Sequence, residues 1–214
     1  MKTNKPLIMI GAGGHAKVLL SLVKAAQLEL IGVCAPELAS QNIDTWRGVK
    51  VLGSGDDWRQ FDSKAFDLIN AVGQKVGDGN RERIFHEMKA RHFYFPPLTH
   101  PLAYVDPTAC LEEGVQVMAG TIIQADANIG KNSIVNTHAS IDHDCILGEH
   151  SHVAPGAVLC GNVVVGKKAF IASGAVVVPG ISIGECALVG AGASVVRNVK
   201  PYQRILPALI RKTD

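Results

Sequence analysis

The sequence predicts two domains in tandem. The first is an α/β domain with a small, Rossmann-like parallel sheet, and the second is a coil of short parallel strands with three flat sides. Two observations predict this order: a strand, a glycine-rich loop and a helix follow one another near the N-terminus, and an uninterrupted six-residue repeat fills the second half. A length of 214 residues fits two domains of modest size. We place the domains at residues 1–100 and 101–214.

The six-residue repeat is the stronger of the two signals. Every sixth residue from Val105 to Val195 is Val, Ile or Leu, sixteen in succession. A second track, two positions earlier, consists mostly of small residues such as Ala103, Ala127 and Ala157. A period of six fits neither a helix of about 3.6 residues per turn nor a strand with a period of about two. It fits a coil whose sides are hexapeptides, each pointing one aliphatic side chain at the axis, so that stacked coils pair as parallel strands.

Alternating strand and helix patterns predict the sheet of the first domain. The apolar residues 6–11 predict a buried strand, and apolar positions at helical spacing predict a helix over Lys17–Gln27. Further strands are predicted over Leu28–Cys34 and Phe66–Val72, and a second helix is predicted over Asn80–Ala90. Strands that alternate with helices indicate a parallel sheet.

The glycine-rich loop joins the first predicted strand to the first helix. It reads Gly-Ala-Gly-Gly-His-Ala over residues 11–16, where backbone N–H groups and the helix dipole favour a phosphate or diphosphate. An NAD site also requires an acidic residue at the end of the second strand. The chain has Cys34-Ala35-Pro36 there and no acid before Glu37, which disfavours NAD. The alternative is that the glycines only permit close packing of helix on sheet.

Composition argues against several classes of function. A net charge of +2 without a Lys/Arg run argues against a cationic nucleic-acid binder. Apolar runs are too short for a membrane span, and the N-terminal run Leu7–Ile10 is too short for a secretion signal. The five cysteines form no CxxC pair, which favours reduced thiols. We therefore expect a cytoplasmic protein with neither a nucleic-acid nor a membrane partner.

Histidine is concentrated in one short segment. Four of the eight histidines fall within fifteen residues, and they are His138, His143, His150 and His152. None lies on the aliphatic track, so we expect all four at the surface of the coil or at an interface between copies. Asp142 and Asp144 flank His143 and make it the candidate general base. Imidazole titrates near neutral pH, and a carboxylate on its other nitrogen fixes the tautomer and stabilises the imidazolium.

The repeat over Val105 to Arg197 resembles the hexapeptide-repeat acyltransferases. The chain as a whole resembles the bacterial sugar acetyltransferases, a group that includes 4-amino-sugar N-acetyltransferases and sialic acid O-acetyltransferases. Two features carry this second resemblance: the glycine loop with its histidine, and residues Asn136–Cys145, which fit Asn-Thr-x-x-x-Ile-(Asp/Glu)-His-(Asp/Glu)-Cys. The resemblance implies a left-handed parallel β-helix, a homotrimer, and acetyl-CoA bound between neighbouring prisms.

The same resemblance implies roles for individual residues. Gly13, Gly14 and His15 are implied to hold the diphosphate of a nucleotide-linked sugar. His143 is implied to be the catalytic base, and Asp144 its supporting acid. The remaining implied contacts are Asn136 with the substrate, and His152 and Gly161 with acetyl-CoA. The acetyl-CoA groove should continue along later coils, where the candidates are Ser173, Gly174, Gly190 and Gly192. No metal is implied. His138 and His150 match no role, and we expect both to be solvated surface groups.

These expectations describe an acetyl-CoA-dependent N-acetyltransferase. Its acceptor is the amino group of a UDP- or GDP-linked 4-amino-6-deoxy sugar, as used in the biosynthesis of glycans such as lipopolysaccharide O-antigen. Three alternatives stay open: an O-acetyltransferase of sialic acid or another sugar, a zinc enzyme of the γ-carbonic-anhydrase type, and a scaffold that only trimerises. The sequence distinguishes neither the sugar nor the nucleotide base.

Overall fold

The structure, a computed structural model, describes residues 5–54, 61–74 and 76–207. The chain divides into two compact units, Met1–Pro101 and Leu102–Asp214. The boundary expected from the sequence lies between residues 100 and 101.

The described part of the first unit contains a five-stranded sheet. Its strands are β1 (Leu7–Ile10), β2 (Leu30–Cys34), β3 (Thr45–Trp46), β4 (Val49–Gly53) and β5 (Asp67–Asn70), in the order β3-β4-β2-β1-β5. Strands β4, β2, β1 and β5 are parallel, which confirms the predicted parallel sheet. The antiparallel hairpin β3–β4 was not predicted. Its turn residues, Arg47 and Gly48, both have positive φ, as a two-residue hairpin loop of type I′ requires.

Helices cover the sheet of the first unit. Those in the described residues are α1 (Gly14–Ala25), the short α2 (Pro36–Ala39) and α3 (Asn80–Ala90). Helix α1 starts inside the glycine loop, earlier than predicted, and buries Leu19, Leu22 and Val23. Helix α3 has its predicted bounds and packs Phe85 and Met88 into the sheet core. Within the described residues, none of the helices is long and apolar enough to cross a membrane.

The second unit is a parallel β-helix of two-residue strands, preceded in the chain by β6 (Leu98–Thr99). The first face contains β7 (Tyr104–Val105), β10 (Ile122–Ile123), β13 (Ser140–Ile141), β16 (Val158–Leu159), β19 (Val176–Val177) and β22 (Ser194–Val195). The second face contains β8 (Cys110–Leu111), β11 (Asn128–Ile129), β14 (Ile146–Leu147), β17 (Val164–Val165) and β20 (Ser182–Ile183). The third contains β9 (Gln116–Val117), β12 (Ile134–Val135), β15 (His152–Val153), β18 (Phe170–Ile171), β21 (Leu188–Val189) and β23 (Arg204–Ile205).

The two residue tracks of the repeat form the core of the β-helix, as predicted. Every aliphatic residue of the first track from Val117 to Val195 is buried, and so is every member of the second track from Val115 to Ala193. Partners in adjacent coils are three hexapeptides apart, as in Ile123 opposite Ile141. Apolar burial on this scale offsets the entropy cost of ordering the chain.

A residue in the left-handed conformation recurs at every corner of the β-helix from position 114 to position 192, a feature that the six-residue repeat did not predict. Backbone φ is positive at each sixth residue, three positions after the inward aliphatic one. Glycine adopts this conformation freely, and Asn and Asp adopt it more readily than other L-residues. The corner residues from 114 to 192 are Gly114, Gly120, Asp126, Asn132, His138, Asp144, His150, Gly156, Asn162, Lys168, Gly174, Gly180, Cys186 and Gly192.

Corners three hexapeptides apart stack into edges of the β-helix. Between the first and second faces runs the aspartate edge, formed by Asp126, Asp144, Asn162 and Gly180. Between the third and first faces runs the glycine edge, formed by Gly120, His138, Gly156, Gly174 and Gly192. From Asn132 to Gly192, each corner N–H donates to a carbonyl of the coil before, as Asp144 does to Ala125. The edges are therefore continuous surfaces along the β-helix.

The packing of the core predicts a large loss of stability when one inward side chain is truncated. Leu159 is fully buried, and Leu159→Ala should lower the free energy of unfolding by about 2–5 kcal/mol, because a cavity remains. The matched control is Leu102→Ala, at a side chain that is 75% exposed and should change stability by about 0.5 kcal/mol or less. Denaturant unfolding of both variants measures the difference. Equal losses of unfolding free energy in the two variants would contradict the inward placement of Leu159.

Candidate active site

His143 and Asp144 form a hydrogen-bonded pair on the aspartate edge. His143 Nδ1 lies 2.8 Å from Asp144 Oδ2, and the His143 N–H donates to Asp142 Oδ1 at 2.8 Å. The turn that follows β13 positions the pair, since Asp144 occupies the left-handed corner with φ of 59°. The two side chains are 59% and 58% exposed. They are therefore fixed relative to each other and accessible from outside the chain.

The Asp144 carboxylate raises the pKa of His143. The hydrogen bond from Nδ1 is the largest cause, and the nearby charges of Asp142 and Asp144 act in the same direction, while partial burial opposes them. With Nδ1 donating to Asp144, the neutral tautomer carries its lone pair on Nε2. Nε2 is therefore the nitrogen that can accept a proton from a substrate.

Gly161 lies directly against the basic nitrogen of His143. A β-carbon placed on Gly161 would lie 2.5 Å from both Cε1 and Nε2 of His143. The next residue, Asn162, donates its N–H to the His143 carbonyl at 2.9 Å, which holds the two coils in register. Any side chain at position 161 would displace the imidazole. The structure thus brings together three predicted site residues: His143, Asp144 and Gly161.

Asn136 and His152 form a second polar pair, on the third face. Asn136 Nδ2 lies 3.3 Å from His152 Nε2, and the Asn136 side-chain oxygen accepts the N–H of Thr137 at 2.8 Å. The His152 ring meets the edge of Phe170 at 4.8 Å between centroids. His152 is only 7% exposed, so the expectation of a surface group is wrong for this residue. The repeat identifies inward positions but not which outward positions become covered.

The expectation for His150 is also wrong, whereas His138 is exposed as expected. His150 is 5% exposed, and its Nδ1 lies 2.9 Å from Nδ2 of the buried Asn132. The hydrogen bond to the buried Asn132 amide, at the preceding corner of the same edge, satisfies the His150 ring away from water. The His138 ring lies over Gly120 in the same way, one coil later on the glycine edge.

The glycines predicted to contact acetyl-CoA lie on a different edge from His143. Gly174 and Gly192 belong to the glycine edge, are exposed, and have open space where a β-carbon would stand. Exposed Ser173 accepts the N–H of Gly192 at 2.9 Å. Gly190 is buried and faces the chain near Ile205 instead. At Gly156, Gly174 and Gly192 the glycine edge is therefore a smooth, unobstructed surface, but within one chain it does not meet the His143 pair.

The glycine loop of the first unit has the geometry of an anion site. Gly13 and Gly14 are exposed, α1 begins at Gly14, and nothing would meet a β-carbon on either residue. The first N–H groups of a helix have no partner within the helix and attract phosphate groups. His15 lies at the same helix start and is half-buried.

The end of β5 borders this loop, and the sequence alone did not assign it to the site. A β-carbon on Gly73 would lie 3.3 Å from Cβ of His15, and one on Gly11 would lie 3.2 Å from Val72 Cγ2. Since β1 lies between β2 and β5, the loop stands where the chain turns to opposite sides of the sheet. Ligands of open α/β sheets bind in such crevices. The sequence feature that could have pointed to this neighbour of the loop is Gly73, which directly follows the strand predicted over Phe66–Val72.

The geometry of the His143 pair makes a prediction for pH dependence. Asp144→Asn should lower the pKa of His143, because Asp144 is the main cause of its upward shift. A base must be deprotonated to act, so the acid limb of the pH profile of kcat/KM should move to lower pH, while the maximal rate falls. The matched control is Asp126→Asn, one coil earlier on the same edge, which should leave the limb in place. If the acid limb of the Asp144→Asn profile stays at the wild-type pH, His143 is not the group whose titration sets that limb.

Each of the two units matches the model of a known protein family. Residues 6–88 match the PglD N-terminal domain, and residues 126–161 match the bacterial transferase hexapeptide family, described as six repeats. The match and the β-helix of hexapeptides place the chain in the class of hexapeptide-repeat transferases.

Solved structures identify the family within this class. A variant of perosamine N-acetyltransferase from Caulobacter crescentus, in complex with CoA and GDP-perosamine, is 33% identical over 100% of both chains, with a TM-score of 0.85. The acetyltransferase domain of PglB from Neisseria gonorrhoeae, in complex with acetyl coenzyme A, is 31% identical over 98% of this chain and 100% of that one, with a TM-score of 0.89. WeeI from Acinetobacter baumannii shares the fold at 22% identity, covering 94% of this chain and 96% of its own, with a TM-score of 0.82. The chain belongs to the hexapeptide-repeat sugar acetyltransferases.

Proposed function

We propose that this acyltransferase transfers the acetyl group of acetyl-CoA to the amino group of a nucleotide-linked 4-amino-6-deoxy sugar. The observation that carries the proposal is the His143–Asp144 pair, whose basic nitrogen faces Gly161. The similar Caulobacter enzyme binds CoA and GDP-perosamine, and the similar Neisseria domain binds acetyl coenzyme A. Both UDP- and GDP-linked sugars are candidate substrates here.

His143 acts as general base in this reaction. The amine nitrogen attacks the thioester carbonyl carbon and forms the new C–N bond, while Nε2 of His143 accepts the amine proton. The tetrahedral intermediate then breaks its C–S bond, and the imidazolium returns the proton to the departing CoA sulfur. The Asp144 carboxylate stabilises the imidazolium through Nδ1. The backbone N–H of Gly161 stabilises the negative oxygen of the intermediate.

The glycine loop holds the nucleotide part of the substrate. Gly13, Gly14 and His15 present backbone N–H groups and an imidazole to the diphosphate at the start of α1. Asn136 contacts the sugar, and His152 supports it through their shared hydrogen bond.

Acetyl-CoA binds between copies of the chain in a homotrimer. The aspartate edge and the glycine edge lie apart in one chain, so the smooth surface at Ser173, Gly174 and Gly192 meets His143 only when a second copy supplies it. Exposed apolar side chains flank the aspartate edge on both adjoining faces, and they are Tyr104, Ile122 and Val176 on the first face and Ile146 and Val164 on the second. An apolar border of this kind is typical of protein interfaces.

Release of CoA thiol from acetyl-CoA in the presence of a panel of acceptors tests the proposal. The panel contains UDP- and GDP-linked 4-amino-6-deoxy sugars, free sialic acid and a blank without acceptor. Turnover with a nucleotide-linked amine, giving a product that resists hydroxylamine as an amide does, supports the proposal. Turnover with sialic acid alone, giving a hydroxylamine-sensitive ester, establishes O-acetylation instead. Failure of every acceptor, together with bound zinc in the purified protein, would replace acetyl transfer with the metalloenzyme alternative.

A further inference from the structure

Arg81 is a fully buried cation in the first unit that the proposed chemistry does not use. It is the second residue of α3 and is 2% exposed. Burial lowers the pKa of Arg81 to about 9, so the guanidinium keeps its charge at neutral pH. Burying a charge costs free energy, so a buried guanidinium stays charged only where polar groups bind it.

The guanidinium binds the backbone at the end of β5. Arg81 Nη1 donates to the carbonyl of Asn70 at 2.7 Å and to that of Val72 at 2.9 Å. In return, the buried Asn70 side chain donates from Nδ2 to the Arg81 carbonyl at 2.8 Å. These bonds close a ring between β5 and the start of α3, which fixes the course of the backbone over residues 70–72.

This fixed segment is the one against which the glycine loop packs. The N–H of Ala71 donates to the carbonyl of Ile10 at 2.9 Å, which extends the pairing of β1 and β5 to the point where the loop begins. Immediately beyond it, Val72 lies against Gly11, and Gly73 lies against His15. Movement of residues 71–73 would therefore move the loop that contains the start of α1.

We propose that Arg81 is a positioning residue for the nucleotide site. It holds the end of β5 so that Gly11 and His15 keep the arrangement in which the first N–H groups of α1 receive a diphosphate. This inference rests on the proposed function, because it presupposes that the glycine loop binds the nucleotide part of the substrate. Arg81 itself touches backbone carbonyls and acts on the ligand only through the loop.

Calorimetric titration with GDP, UDP and acetyl-CoA tests the inference. Arg81→Met removes the donors at similar volume and should weaken binding of the nucleotide that the wild type binds by about tenfold or more. Arg81→Lys keeps the charge with a shorter reach, so its nucleotide affinity should lie between those of the wild type and Arg81→Met. Acetyl-CoA affinity should not change in either variant, whereas a loss of overall structure would reduce it as well. The matched control is Arg83→Met on the same helix, where the exposed Arg83 pairs only at the surface with Glu87 at 3.2 Å.

A second variant keeps the test decisive if Arg81→Met does not fold. Gly73→Ala leaves the Arg81 bonds in place and inserts a methyl group 3.3 Å from Cβ of His15, so it should weaken nucleotide binding with acetyl-CoA affinity unchanged. If Arg81→Met folds and binds the nucleotide as tightly as the wild type, the inference is overturned and the proposed function stands. If Arg81→Met does not fold, wild-type nucleotide affinity in Gly73→Ala has the same meaning. If neither GDP nor UDP binds the wild type, the nucleotide part of the proposed function fails, and the inference falls with it.

Discussion

His143→Ala is expected to lower kcat by a factor of about 10²–10⁴, the range that a positioned general base contributes. None of the corner residues that form the aspartate edge carries an imidazole that could replace Nε2. A reaction without the base must release the amine proton to water from the tetrahedral intermediate. The loss should appear in kcat and kcat/KM alike, because the proton transfer belongs to the transition state.

The fold should survive this substitution. The His143 side chain is 59% exposed, so its removal takes little from the core. The unfolding midpoint and acetyl-CoA affinity, measured by thermal denaturation and calorimetry, should match the wild type. The control is His86→Ala, at a histidine of the first unit with 60% exposure, which should keep full activity. Near-normal kcat in His143→Ala would remove His143 from the mechanism.

The β-helix could be predicted from the sequence because its core depends on one simple rule. Each hexapeptide contributes one large aliphatic residue, and the period is unbroken from Val105 to Val195, so the register of every strand follows from any one of them. The pairing of Ile123 with Ile141 and of Val177 with Val195 repeats the same spacing. Side-chain burial and strand pairing therefore carry the same information in this unit.

The corners were harder to predict, because their rule concerns the backbone rather than the side chains. Positive φ is easiest for glycine, but the corners also accept His138, Asp144 and Lys168. Residue type alone therefore does not mark them. The sequence therefore favours a solvated His150, whereas the structure places its ring against the buried Asn132.

The relation between the predicted site residues also lies beyond the sequence. The sequence analysis assigns His143, Gly174 and Gly192 to one active site, yet these residues occupy different edges. Residues share an edge only when they are separated by multiples of three hexapeptides. His143 and Gly161 satisfy this spacing and are in contact. In the first unit, Arg81 of α3 holds the end of β5 beside the glycine loop. This contact between helix and strand is not indicated by any local sequence pattern.

Gly161→Ala is expected to lower kcat by about a hundredfold, since a displacement of about 1 Å at a reacting group has effects of this size. The new β-carbon would lie 2.5 Å from Cε1 and Nε2 of His143. The His143 ring is the exposed, movable partner, so it should swing away while the backbone of the coil stays in place. Its hydrogen bond to Asp144 should then break, and the pKa of His143 should fall, because that bond is the main cause of its upward shift. An NMR titration of His143 measures this change independently of activity.

A double-mutant cycle separates this steric effect from a general disturbance of the coil. If Gly161→Ala acts by displacing the imidazole, it has nothing further to displace in His143→Ala, and the double variant should be as active as His143→Ala alone. If Gly161 also donates its N–H to the negative oxygen of the intermediate, alanine keeps that donor, so the expectation is unchanged. An additional hundredfold loss in the double variant would show that position 161 acts through the backbone of the β-helix. In that case the contact with His143 would not be the reason a glycine is needed there.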